Sequence, residues 1–493
     1  MKVILAGYNI DSTVIEELKK LQPGRLDVTP ETLSAAYARI SRDPRSAEEL
    51  RAVARQAVDK ARRSNKTIIF KMGHHSVAEH AVFNFDIIGV SRLAIEEIER
   101  FRLGSYTEKS QRYIKLQDEF RLPKEIIDAG KKTIFIKTIK EQNRLYHELY
   151  DKLRPYFFDK CPAYAQNPKK HSILDGWAKE DARYAVSLAT QGQLGLTMNA
   201  RSLEYFIRRL ASKKLDELKE LNQKIYTLVK EVAPSIILFT EADDFNSLTY
   251  DELKEQSASL RGFSESPPGG EVQLAEHTLE ADIKLIASLM HTTSLLSYSA
   301  CFQKAKKMNL PDKIEYLKTA FEHMEFYDFV LREFEYIDLV YELVVSATCF
   351  AQLKRHRMAT LCSQEYDPSL GVKIPPSVED VGMGDKFMIC IERTNDVYTQ
   401  FKNDMKLGAE YILTNAHRKR VLLKVNAREL YHISRLREDP TAQWDIRNTA
   451  EKMSGLAKEK MPLTFMLLGS KAAYPQIYRS VFGKPPKLIP PEF

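Results

Sequence analysis

The 493-residue chain repeats itself, and this limits its folds more than any other feature. The stretch "MNARSLEYFIRRL" at Met198–Leu210 has a near twin in "VNARELYHISRLR" at Val425–Arg437. Arg209 is followed eight residues later by Glu217, and Arg437 eight residues later by Asp445. A second pair lies upstream, "EIERFRLGSYTEKSQRY" at Glu97–Tyr113 and "QLKRHRMATLCSQEYD" at Gln352–Asp367. Two matched elements in the same order point to a tandem duplication. Between the copies, "LRGFSESPPGGEVQ" joins Ser, paired Pro and paired Gly, which break helix and strand alike. The expected organisation is a first domain at 1–259, a linker at 260–273 and a second domain at 274–493.

Local patterns give the elements of each half. "MKVILAGYNIDS" reads as a first strand entering a turn, without the features of a signal peptide. "RSAEELRAVARQAVDKARRS" reads as one amphipathic helix, and "HAVFNFDIIG" alternates like a half-buried strand. "SRLAIEEIERFR" reads as a helix with Ser91 as N-cap. In the second half "FEYIDLVYELVV" takes the strand role and "SATCFAQLKRHR" the helix role. The fold class is therefore α+β, with no alternating βαβ run. The first half is longer by the segment around Lys115–Gly176, whose helical periodicity predicts a solvated helical insertion.

No apolar run reaches the roughly 18 residues a membrane span needs, so no membrane association is expected. Five scattered cysteines without a Cys-x-x-Cys pair argue for a reducing, cytoplasmic setting and against a zinc site. A net charge of +7 suits anionic small molecules. It does not demand nucleic acid, because acidic residues are interleaved throughout. His74, His75, Glu79 and His80 lack the His-Glu-x-x-His spacing of a helical zinc site, so no metal is expected.

Two patterns carry chemistry. Arg355-His356-Arg357 closes an apolar segment, where cations complement the helix dipole by about 0.3–1 kcal/mol per charge. Glu108, Ser110 and Arg112 alternate, so an extended loop would aim an acceptor, a hydroxyl and a guanidinium one way. Arg is the side chain best shaped for bidentate phosphate binding.

Taken together, "HHSVAEH", "RFR", Ser110 after seven residues, "SQRY" and "NARSL" in the first half resemble the flavin-dependent thymidylate synthase family. So do "RHR", "NAR" and "LREDPTAQWDIR" in the second. The resemblance implies two copies of that fold, a twisted antiparallel sheet flanked by helices. It implies reductive methylation of dUMP to dTMP with methylenetetrahydrofolate, FAD as hydride carrier and NADPH as reductant. The family is a homotetramer with sites between subunits, so a homodimer of this tandem chain would imitate it.

Carried over residue by residue, the resemblance gives Arg100, Glu108, Ser110, Arg112, Arg183, Gln352 and Arg355 to dUMP. It gives His74, Ser76, Glu79, Asn199, Arg201, Arg355, His356, Arg357, Asn426 and Arg428 to FAD. Arg437, and Arg209 in the first half, match the arginine that polarises the uracil. Direct register puts Leu210 at that place, and a one-residue deletion puts Arg209 there.

The halves depart from the pattern differently. Phe101 replaces the motif His, and Glu97 stands where the family has Gln. Glu365 and Asp367 replace the Ser and Arg of the second loop, and Glu410 falls on the second copy of Arg183. "LREFEY" keeps only Glu335 of the His-x-Ser element. The first half thus reads as the dUMP-binding half, and the second keeps the flavin triplet. Two readings stay open, a working synthase and a catalytically degenerate flavin- or nucleotide-binding relative with a structural or regulatory role.

Overall fold

Phe83, Phe85 and Ile87 are buried while Asn84, Asp86 and Ile88, which alternate with them, are exposed. Side chains of a strand alternate between faces, so this segment sits in a sheet with one face covered. The structure is a computed structural model that describes residues 1–11, 14–16, 18, 29–39, 43–71, 73–259 and 270–489. Among these residues the first four strands are β1 (Lys2–Tyr8), β2 (Val82–Ser91), β3 (Ser105–Glu108) and β4 (Gln191–Asn199). They form one antiparallel sheet in the order β1-β2-β4-β3. The register of β2 against β4 shifts between Ile88 and Val90, where Gly89 takes a φ of 73°. A side chain is strained in that conformation, so a glycine fits the bulge.

Four more strands, β5 (Val272–His277), β6 (Asp338–Ser346), β7 (Thr360–Ser363) and β8 (Arg418–Asn426), pair in the order β5-β6-β8-β7. The second sheet repeats the first, strand for strand. In each, buried strand residues share one core with the helices that follow. In the first, Phe85 and Leu196 pack with Ile95, Ile98, Phe206 and Leu221. In the second, Tyr341 and Leu423 pack with Leu353, Tyr431 and Met453. Burying each such side chain is worth about 1.5–3 kcal/mol.

A hydroxyl–carboxylate clamp recurs in both copies. Ser91 caps the helix Arg92–Glu99, its Oγ accepting from Ala94 N at 3.0 Å and donating to Glu217 Oε2 at 2.6 Å. Its backbone N–H donates to Glu217 Oε1 at 2.9 Å. Ser346 likewise caps Ala347–Leu353, accepting from Cys349 N at 3.0 Å and donating to Asp445 Oδ2 at 2.6 Å. Glu217 and Asp445 are both buried. The shared eight-residue spacing from Arg209 to Glu217 and from Arg437 to Asp445 therefore has a physical meaning. It runs from an arginine near the end of one helix to the carboxylate that clamps another.

Contacts divide the chain into two compact units, Met1–Ser264 with Ser377–Thr414, and Glu265–Pro376 with Asn415–Phe493. Residues 260–269 of the expected linker lie outside the described residues. The segment expected to be a solvated insertion holds the 29-residue helix Lys132–Lys160, which buries Phe135, Ile139, Leu145, Tyr146, Leu149 and Leu153. With Thr138, Gln142 and Asn143, which are also buried, they recur at helical spacing and make a core-facing stripe. Gln142 Nε2 on that helix donates to Thr394 Oγ1 and to Ile412 O, both at 2.9 Å. Phe135 stacks on Phe401 at 6.4 Å. Leu188 N donates to Leu413 O at 2.7 Å, and Tyr411 Oη to Glu217 Oε2 at 2.8 Å. The first unit thus takes in a segment from the second repeat. The helix expected over 45–64 is two, Ala47–Gln56 and Val58–Asn65, because Ala57 leaves the helical region at φ −141° and ψ 64°.

A fragment ending at residue 259 lacks Thr394, Phe401, Tyr411 and Leu413. It should show no sharp thermal transition and should bind a hydrophobic dye; a native-like melt would refute the intertwined unit. Ser346→Ala strips a helix cap and leaves Asp445 without this donor, so it should cost about 1–3 kcal/mol. An unchanged urea midpoint would refute the clamp.

Candidate active site

The first unit presents a cationic loop. β3 ends at Glu108, and Lys109 N donates to Gln193 O at 2.9 Å, holding the following turn to β4. Arg112 N donates to Ser110 Oγ at 3.1 Å, which curls the loop. Arg112 Nε then donates to Glu180 Oε2 at 2.6 Å. Arg183 is buried, and its Nε donates to Glu180 O at 3.2 Å. Burial lowers the Arg183 pKa, against the pull of Glu180. Glu180 therefore gathers Arg112 and Arg183, which lie far apart in sequence. The sequence reading missed it, although its position three residues before Arg183 on a helix was a signal.

The same unit brings together Glu79, Asn199 and Arg201. Asn199 caps the helix Ala200–Ala211, its Oδ1 accepting from Ser202 N at 2.8 Å. Arg201 Nη1 meets Glu79 Oε1 at 2.6 Å. His74 and Ser76 stand exposed at the start of the turn His75–His80. The second unit repeats this pair, with Arg428 Nη1 on Glu335 Oε1 at 3.0 Å and Asn426 accepting from Glu429 N at 2.8 Å.

The two arginine triplets are built differently. In the first copy, Phe101 is buried against Tyr205 and Phe206 with ring centroids at 5.6 and 5.5 Å. Glu97 meets Arg209 Nη2 at 2.6 Å, Lys213 Nζ at 2.8 Å and Arg100 Nη1 at 3.7 Å. Burial would raise the Glu97 pKa, but Lys213, Arg209 and Arg100 outweigh it and keep the carboxyl low. Arg209, not the buried Leu210, thus meets Glu97, three residues before the triplet. This sets a carboxylate against its guanidinium.

In the second copy His356 is only 2% exposed, while Arg355 and Arg357 on either side are exposed. Arg437 Nε donates to His356 Nε2 at 2.9 Å, and Arg437 Nη2 to Gln352 O at 3.4 Å. Buried Gln352 reaches Gln443 Oε1 at 3.4 Å. Gln443 caps the helix Trp444–Lys460 and accepts from Asp445 N at 3.1 Å. His432 meets the His356 ring edge-on at 5.8 Å, and Glu429 Oε1 lies 3.5 Å from His356 Nδ1. The His356 ring and the Gln352 carbonyl, two of the acceptors that hold Arg437, are neutral. Glu429 and His432 were not singled out from the sequence. Asp367, in the altered loop, accepts from Ser369 N at 2.9 Å and caps its own short turn.

Among the described residues no group of three or more His, Cys, Asp or Glu side chains could hold a metal ion. Among them, too, no helix is long and apolar enough to cross a membrane.

Burial, then Arg437 and Arg355, push the His356 pKa down from 6.5 to about 3. The native imidazole is neutral, whereas in the unfolded chain it takes a proton below pH 6.5. Its contribution to stability is therefore complete above pH 6.5 and is lost as pH falls toward about 3. The loss is about 1.4 kcal/mol per pH unit. His356→Gln should flatten that acid limb relative to the wild type. Equal changes in urea midpoint between about pH 7 and about pH 5 would refute it.

The thymidylate synthase complementing protein family matches the chain at residues 26–235 and again at 273–463. A flavin-dependent thymidylate synthase of Clostridium tetani is 30% identical over 214 residues, which are 43% of this chain and 82% of that protein. A UPF0159 protein of Chlamydia pneumoniae is 25% identical over 423 residues, 82% of this chain and 78% of its own. A solved flavin-dependent thymidylate synthase from Helicobacter pylori, complexed with FAD and dUMP, is 17% identical. It aligns with 49% of this chain and 100% of its own, at a TM-score of 0.32. Matched in both halves over most of its length, the chain belongs to the thymidylate synthase complementing protein family.

Proposed function

We propose that the chain is a flavin-dependent thymidylate synthase that converts dUMP to dTMP with methylenetetrahydrofolate and NADPH. The observation that carries this reading is the contrast between two arginines. Arg437 donates to a neutral imidazole and a backbone carbonyl, which orient its guanidinium without offsetting its charge. Arg209 is held by the Glu97 carboxylate, which offsets its charge. A guanidinium oriented as that of Arg437 can stabilise negative charge developing on a uracil ring, without a protein nucleophile.

The donor set fits FAD. Arg355 and Arg357 offer exposed guanidinium groups suited to a pyrophosphate. His356 gives the same segment a buried, uncharged ring. Arg428, Asn426 and, in the first copy, His74, Ser76, Glu79, Asn199 and Arg201 are assigned to the same cofactor. FAD, when bound, supplies the hydride chemistry, and the protein supplies orientation and charge. Ser110, Arg112 and Arg183 bind the dUMP phosphate, with Glu108 beside them. Arg100 in the first unit, and Gln352 and Arg355 in the second, are each assigned to dUMP. The working form is a homodimer.

Binding without turnover is the second reading, carried by Glu97 on Arg209 and by the acidic Glu365 and Asp367. One assay separates the two. The purified protein should carry flavin absorbance and oxidise NADPH only when dUMP and methylenetetrahydrofolate are present, forming dTMP. Flavin and dUMP binding without dTMP would establish the second reading, and a colourless, inert protein would remove both. Arg437→Ala should lower turnover about 100-fold or more, the scale of losing one charge-stabilising donor. Arg209→Ala should stay within about threefold of wild type, because Glu97 already offsets that charge.

A further inference from the structure

We propose that Glu429 is a positioning residue whose carboxylate takes the Nδ1–H of His356 and so fixes the ring that holds Arg437. The proposal rests on reading Arg437 as the arginine that faces substrate. It follows from counting donors and acceptors. A guanidinium can only donate. Arg437 Nε lies 2.9 Å from His356 Nε2, so that nitrogen accepts and carries no proton. A neutral imidazole has one proton, which then sits on Nδ1. Glu429 Oε1 lies 3.5 Å from Nδ1, and both residues are buried, so water does not readily replace it.

Without that acceptor, the tautomer with its proton on Nε2 becomes competitive. It sets donor against donor at Arg437 and removes the bond that orients its Nε. Glu429 also faces His432 and Arg428, and His432 packs edge-on against His356 at 5.8 Å. The first copy supplies an internal control. Ser202 stands where the second copy has Glu429, and Phe101 where it has His356. There the arginine is held by Glu97 instead. The acceptor and the histidine are present together or absent together, as expected if one serves the other.

Two near-isosteric variants separate hydrogen bonding from packing. Glu429→Gln keeps an acceptor oxygen and should retain dTMP formation within about threefold. Glu429→Met keeps the bulk without an acceptor and should lose about tenfold or more in kcat, with FAD still bound and KM for dUMP changed less. Equal activity of the Met variant and wild type would overturn the proposal. Nitrogen NMR of histidine-labelled full-length protein reads the tautomer directly, whether or not the protein turns over dUMP. Nδ1–H at His356 in wild type and the Gln variant, lost or mixed in the Met variant, supports the proposal. Nε2–H at His356 in wild type overturns it, even where the Met variant does not fold. Absence of dUMP turnover with the expected tautomer counts against the synthase reading and not against the role of Glu429.

Discussion

The buried pairing of a helix-capping serine with a distant carboxylate is the constraint on which the rest depends. Ser346 begins the helix that delivers Gln352 and, just past its end, Arg355 and His356. Asp445, bonded to that serine, lies eight residues after Arg437. One hydrogen bond of 2.6 Å therefore sets where two separate chain segments meet. The carboxylate sits near the positive end of a helix, which favours its charge, and burial shields the bond from competition by water. Ser91 and Glu217 do the same in the first copy. The clamp held in both copies while residues around it changed, so the frame and the site are separable in this protein.

What changed between the copies is the way charge is handled. A carboxylate next to a guanidinium offsets its charge, and a neutral imidazole leaves it in place. Glu97 with Phe101, and Gln352 with His356, are two local solutions built on one backbone. The first copy keeps Ser110 and Arg112 together with Glu180 and Arg183, and the second keeps the intact triplet. A duplicated frame allows such a division, because losing a function in one copy leaves the other intact.

Legibility followed the range of the interactions. Alternation in β2, the strand role of β6, the cap at Ser91 and the paired motifs were all readable, because each rests on neighbours close in sequence. The helix Lys132–Lys160 was readable as a helix but not as a buried one. Its partners Thr394 and Ile412 lie more than 250 residues away. Glu429 and His432 escaped notice as site residues because nothing local distinguishes them from ordinary helix positions, and Glu180 carried only its spacing from Arg183.

By itself, then, the sequence determined the repeat, the α+β class, the resemblance to a family and the residue types in each motif. Periodicity and short spacing encode those directly. Only the tertiary structure decided that Arg209 rather than Leu210 meets Glu97, just before the first triplet. It alone placed a carboxylate on Arg209 and a neutral imidazole on Arg437, and it alone drew a segment of the second repeat into the first unit. Each of these depends on side chains meeting across long stretches of chain, where hydrogen-bond geometry and burial set the charge state and the sequence pattern is silent.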